Sequence, residues 1–190
     1  MSNLRIIPEA QASTYILSNF NIKDVDLDKQ SLLINLDSPT LVTISDSSFQ
    51  RISNVLMLLN IKKVEQGITM TNCYFDNITS ADIKHLKDVS PFIQNTFVGL
   101  CATFTESDLF LKNATFKTIS YSCLSLIRSN FVFEKIKMDY ELSNIKPFQA
   151  WLVIDKVGPM ITLDDVSSGQ IVDSIFENHH QYQVKQGAVK

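Results

Sequence analysis

The residues with catalytic or ligating chemistry are scattered in this sequence rather than gathered. The adjacent carboxylates Asp164 and Asp165 come nearest to an acid/base pair. Neighbouring side chains on an extended strand point to opposite faces, so these two cannot act together without a bend. His179 and His180 meet the same objection as metal ligands, and no Cys or carboxylate spacing supports them. His85 lies in "SADIKHLKDVSP", which reads as a short helix or loop stopped by proline. Cys73, Cys101 and Cys123 form no CxxC and are odd in number. Buried free thiols are the expected state, with a single disulfide as the alternative. Two N-x-S/T sequons, at Asn77 and Asn113, offer outward acceptors for N-linked glycans. No catalytic, cofactor-binding or metal-binding residue is assigned.

These residues must be held by a scaffold whose composition is unusual. The chain has 190 residues, which fit one domain, 1–190, with a large core. Gly and Pro number only 5 each, beside 12 Phe and many Ile, Leu, Ser, Asn and Thr. Plentiful β-branched residues argue for strands, and the shortage of Gly argues against Gly-based hairpins. A formal charge of -3 gives no electrostatic footprint for nucleic acid or an anionic membrane. No apolar run approaches the length of a membrane-spanning helix. The first residues, "MSNLRIIPEAQAST", lack the long apolar stretch of a signal peptide.

One spacing recurs along the chain. In "ITMTNCYFDNIT" (residues 68–79) the inward candidates fall at offsets 0, 2, 5, 7 and 10: Ile68, Met70, Cys73, Phe75 and Ile78. Neither a strand nor a helix keeps that beat. The same spacing starts at Tyr15, Val42 and Leu109. A shortened copy starts at Ile136 (then Met138, Tyr140, Leu142, Ile145), and a sixth at Ile161 (then Leu163, Val166, Ser168, Ile171). Between copies sit short motifs ending in a small polar residue: "LLIN" at Asn35, "MLLN" at Asn60, "FIQN" at Asn95, "LIRS" at Ser129 and "LVID" at Asp155. Both intervals swell in the third repeat, so 79–91 and 96–108 read as two inserts. The second is apolar in its first half, and packing on its own chain is favoured there over a contact patch for a partner.

Repeats of this length mean a solenoid. Helical repeats lack support in the β-branched pairs. Leucine-rich repeats want Asn or Cys where this chain has Val25, Ile52, Ile78 and Ile119. A parallel β-helix explains the gaps: a strand, a corner that shifts parity by one, a second strand and another corner. The expected fold is all-β, a right-handed parallel β-helix of about six coils of 25–27 residues with one expanded coil. The coils run roughly 15–41, 42–67, 68–108, 109–135, 136–160 and 161–178. Phe49, Phe75 and Phe116 would stack in the core, and Asn35, Asn60, Asn95 and Asp155 would form a polar ladder.

The copies "ITMTNCYFDNI", "VTISDSSFQRI" and "FLKNATFKTI" resemble repeats of right-handed parallel β-helices of the pectin-lyase-like superfamily. They are especially similar to Ser/Asn-rich coils in very large surface proteins of ciliates and other protists. The resemblance covers about residues 15–176 and is specific for fold, not for activity. It implies that an enzyme here would act on polysaccharides. Of that family's hydrolase signatures the Asp164-Asp165 pair is present and nothing matches G-H-G, and Arg5, Arg51 and Arg128 hold no common position. The leading expectation is a structural or scaffolding segment of a larger shaft, filament or assembly, not an enzyme, extracellular or at the cell surface. Repeats that run to both ends without a capping helix suggest a piece of a longer shaft, or copies stacked end to end. Its partners would be protein, further coils or copies of itself, together with glycans, and not nucleic acid. The alternatives are a carbohydrate-binding or polysaccharide-cleaving β-helix using the inserts, and an adhesin-like recognition module. No cofactor is implied.

Overall fold

The computed structural model describes residues 13–26, 32–55, 57–80, 101–119, 123–139 and 160–177. The first coil comprises β1 (Thr14–Ser18), β2 (Asn21–Asp26) and β3 (Leu32–Asp37). The second holds β4 (Leu41–Ser45), β5 (Ser48–Val55) and β6 (Met57–Lys62). The third holds β7 (Ile68–Thr71), β8 (Tyr74–Ser80) and β9 (Ala102–Thr105). The fourth holds β10 (Leu109–Lys112), β11 (Thr115–Ile119) and β12 (Leu124–Ile127). The fifth holds β13 (Phe131–Glu134), β14 (Lys137–Asp139) and β15 (Ile161–Asp164), and β16 (Gly169–Val172) and β17 (Ile175–Glu177) begin a sixth. Every pairing is parallel, and strands three apart in sequence are neighbours in each of three sheets. The chain is a right-handed parallel β-helix.

The odd rhythm of the repeat comes from its corners. Among the described residues fifteen non-glycine residues have positive φ, between 48° and 58°. All of them fall on three corner positions. Asn19, Asp46, Asn72, Asn113, Lys135 and Asp173 turn the chain from the first sheet to the second. Asp24, Arg51, Asn77 and Thr118 bend the second-sheet segment. Ser38, Lys63, Glu106, Arg128 and Asp165 end the third-sheet strands. A single left-handed residue reverses the in/out parity of the chain, and the residue after it turns inward. None of those following residues is exposed. Asn and Asp adopt this conformation at lower cost than other non-glycine residues, which explains how the chain bends with so few glycines.

Hydrogen bonds lock each corner to the next coil. The N–H of Asn19, Asp46, Asn72, Asn113 and Lys135 donates to the carbonyl of Ser45, Thr71, Lys112, Glu134 and Val172, at 2.9–3.1 Å. On the outer surface Asn72 Nδ2 donates to Asp46 Oδ1, and Asn113 Nδ2 to Asn72 Oδ1, both at 2.8 Å. Inside the corners a hydroxyl closes the remaining gap. Ser47 Oγ accepts from Phe20 N, Ser107 Oγ from Val64 N, Ser129 Oγ from Ser107 N and Ser174 Oγ from Ile136 N. Each hydroxyl donates to the carbonyl two residues earlier in its own coil, at 2.7–2.9 Å. These four hydroxyls give a partner to backbone N–H groups that would each cost about 1–3 kcal/mol if left buried and unpaired.

In-register stacking makes the core a set of columns. Phe49, Phe75 and Phe116 are fully buried and stack with ring centroids 4.8 Å apart and interplanar angles of 7° and 8°. Met138 and Phe176 extend that column, and Ile52, Ile78 and Ile119 form another behind it. Both faces of the third sheet are shielded. Leu59, Ile61 and Phe104 alternate with Leu58, Asn60 and Thr103, and all are buried.

The ladder register moves two of the six expected copies. Phe131 and Phe133 lie opposite Leu109 and Leu111, so Ile136 and Met138 stand at the later offsets of the fifth copy, not at its start. Ile161 and Leu163 belong to the third sheet, opposite Leu124 and Leu126, and the last copy starts at Gly169. Alternation looks alike on every face; only the corner residue identifies which face follows, and Lys135 disguised that signal. Residues 102–105, read as part of an insert, are the third-sheet strand β9 between β6 and β12. Asn35 and Asn60 are in register, with Asn60 Nδ2 donating to Asn35 Oδ1 at 2.7 Å. Above Asn60 the column continues through Thr103, Ser125 and Thr162. Asn95 and Asp155 lie outside the described residues, and Ser129 sits past the corner.

Two measurements check this arrangement. Phe75→Ala should lose about 3–5 kcal/mol in chemical denaturation, whereas Thr69→Ala on the outer face should change stability by less than about 0.5 kcal/mol; similar losses would refute the inward assignment. Asn72→Val should cost about 2 kcal/mol, because a β-branched residue resists positive φ and the amide ladder is cut, and Asn72→Gly should cost less than half as much.

Candidate functional site

Among the described residues the third corner carries a charged side chain at four of its five left-handed positions. Successive coils place Ser38, Lys63, Glu106, Arg128 and Asp165 in one line. The Arg128 guanidinium donates to Glu106, with Nε 3.2 Å from Oε1. Asp164 and Asp165 stand one coil further on, and the Asp164 carbonyl accepts the Arg128 N–H at 2.8 Å. Glu106 holds the Arg128 pKa above its usual value, first by this hydrogen bond and then by charge, with Asp165 and Asp164 adding to it. Beneath the charges, Ser107 and Ser129 fix the backbone through their hydroxyl bridges. Beside them Asp108 accepts from the Asn130 N–H at 3.2 Å, and Asn130 Oδ1 accepts from the Ser167 hydroxyl at 2.8 Å.

The chemistry open to this corner is limited by its geometry. Asp164 ends a strand and Asp165 is left-handed, so the two carboxylates diverge. Glu106 and Asp165 lie two coils apart, roughly 10 Å, at the upper limit for an inverting carboxylate pair and far beyond a retaining one. Arg128 stands between them. Three carboxylates around one arginine suit hydrogen bonding to hydroxyl-rich or cationic groups.

Other charged side chains pair in the same cross-coil manner. Arg51 holds Asp24 at the second corner, with Nη2 2.8 Å from Oδ2. The hydrogen bond from Arg51 draws the Asp24 carboxyl below its usual range. Lys112 meets Glu134 at 2.9 Å and Lys137 meets Glu177 at 2.6 Å. All these pairs are largely exposed and contribute little to stability.

The remaining sequence candidates separate. Asn77 is exposed on the second corner and Asn113 on the first, where its amide already belongs to the ladder. Arg51 and Arg128 occupy different corners. Arg5, His85, His179 and His180 lie outside the described residues. Among the described residues no group of three or more His, Cys, Asp or Glu side chains could hold a metal ion, and no helix is long and apolar enough to cross a membrane. The Glu106–Arg128 pairing was missed in the sequence. Its signal was available as "ESD" and "RSN", 22 residues apart, with matching Ser and a polar residue after it.

Comparison of the chain with protein-family models, with curated proteins and with solved structures gives no significant match.

Cys73 is a structural thiol. It occupies the column of Ser47 and Ala114, next to corner residue Asn72, and its Sγ lies 3.4 Å from the Thr71 carbonyl, the acceptor position used by the serine hydroxyls. Burial pushes its pKa up to about 11. A thiol with a raised folded-state pKa favours the fold fully below the ordinary value near 9.0, and that contribution is lost as pH rises toward 11. The stability of the wild-type chain relative to Cys73→Ser should therefore fall by up to about 2–3 kcal/mol between these limits. Denaturation of both proteins across that range measures it; a constant difference would place the thiol in solvent.

Proposed function

We propose that this chain is a structural or scaffolding β-helix segment, part of a larger shaft or assembly, whose side faces make contacts with protein or glycan. The supporting observation is the use of its polar side chains. Corner amides, buried hydroxyls and ion pairs reach across coils to the equivalent position of a neighbour. Such groups stiffen a rod, and no constellation of converging acid, base and nucleophile emerges from them. The repeats' resemblance to pectin-lyase-like coils of protist surface proteins agrees with a shaft at the cell surface. The exposed sequon residues Asn77 and Asn113 agree with an extracellular glycoprotein.

The Glu106–Arg128–Asp165 corner favours one second reading, a polysaccharide-binding or polysaccharide-cleaving surface. One set of experiments separates the two. Electron microscopy and light scattering of the purified protein should show rods of constant width, and incubation with acidic and neutral polysaccharides should release no reducing ends or unsaturated products. Depolymerisation that disappears in Glu106→Gln or Asp165→Asn, with the variants still folded, would replace the scaffold reading by an enzymatic one.

A further inference from the structure

Sulfur occupies one register position of the third sheet in three successive coils. Leu59 pairs with Ala102, Ala102 with Leu124, and Leu124 with Ile161. The residues just before these, Leu58, Cys101, Cys123 and Met160, therefore form a single column. Cys101 and Cys123 are both fully buried. Their backbones are tied directly: Cys101 N–H donates to the Cys123 carbonyl at 3.0 Å, and Ala102 N–H shares that carbonyl at 3.3 Å. In-register residues of stacked coils sit about 4.8 Å apart, inside the Cα separation of roughly 4.4–6.8 Å that a disulfide spans. The two side chains are also in hydrogen-bond contact, and burial followed by that contact pushes the Cys123 thiol upward. Cys73 stands in a different column beside the first corner, which leaves it without a thiol partner.

We propose that Cys101 and Cys123 are the two halves of a disulfide that joins the third coil to the fourth, formed while the chain folds in the presence of a low-molecular-weight disulfide. The thiolate of one cysteine attacks the small disulfide and releases one small thiol. The second cysteine then displaces the other small thiol from the mixed disulfide. The protein loses two protons and two electrons, and the reagent disulfide is reduced to two thiols. Both sulfurs are buried once the chain has folded, out of reach of a dissolved disulfide, so exchange belongs to the open chain. The bond closes β9, β10 and β11 into one covalent ring and ties the start of β9 to the start of β12. This inference stands apart from the scaffold reading and does not need it.

The test refolds the full chain in reduced glutathione alone and in a mixture of reduced and oxidised glutathione. In the mixture the intact mass should fall by two hydrogens, and a proteolytic peptide joining Cys101 to Cys123 should appear, with Cys73 alkylated only after unfolding. The linked protein should unfold about 5–10 °C higher than the reduced one. Cys73→Ser should keep both the link and the shift, whereas Cys123→Ser should lose both. Three alkylatable thiols after oxidative refolding, a link through Cys73, or a Cys101–Cys123 link that leaves the midpoint unchanged or lower would each overturn the assignment.

Discussion

One left-handed residue at each corner is the constraint on which this structure depends. A β-strand alternates its side chains strictly, so a chain that must wind around a single core needs a device that resets the parity at every bend. A residue with φ near 50° does this in one step and leaves its successor pointing inward. The core columns, the hydroxyl bridges and the outer amide ladder follow from placing that residue at equivalent positions in successive coils. Asn and Asp dominate the first corner, where side-chain ladders offset the backbone cost. The third corner uses Lys, Glu, Arg and Asp instead, and its ladder is ionic.

Stacking also decides what the polar groups can do. A side chain in a solenoid has its nearest neighbours directly above and below, about 4.8 Å away. Small hydroxyls, amides and ion pairs satisfy one another along the axis, and few are left to converge from several directions on a substrate. The charged third corner comes closest to such a convergence. Its carboxylates are divided by Arg128, which makes it a better surface for contact than for proton transfer.

The columns differ in how they tolerate change. Phe49, Phe75 and Phe116 share an unbroken stack, so a loss at one ring is felt by both neighbours. The column of Phe20, Ser47, Cys73, Ala114, Ile136 and Ser174 mixes sizes, because its residues sit beside the corner and serve the backbone as much as the core. Gly169 is a local exception. The Phe131 ring fills the space its Cβ would take, 2.3 Å from that position, so any larger residue there would displace an aromatic side chain.

The sequence alone determined the fold class and much of the winding. Offsets 0, 2, 5, 7 and 10 are a direct print of two strands and two parity-resetting corners, legible because strand alternation and corner geometry act locally. Asn72 and Phe75 carried that information by residue type. Register in the later coils was decided only in three dimensions. Ile136 and Ile161 alternate like the start of any strand, yet Ile136 stacks between Ala114 and Ser174 and Ile161 lies opposite Leu124, positions set by the coil beside them. The partners of Glu106, Asn60 and Cys101 were likewise set by stacking, since the gap between equivalent positions varies from 22 to 43 residues. A gap of varying length leaves no periodic signal, and only the closing of backbone hydrogen bonds between coils fixes which residue lies above which.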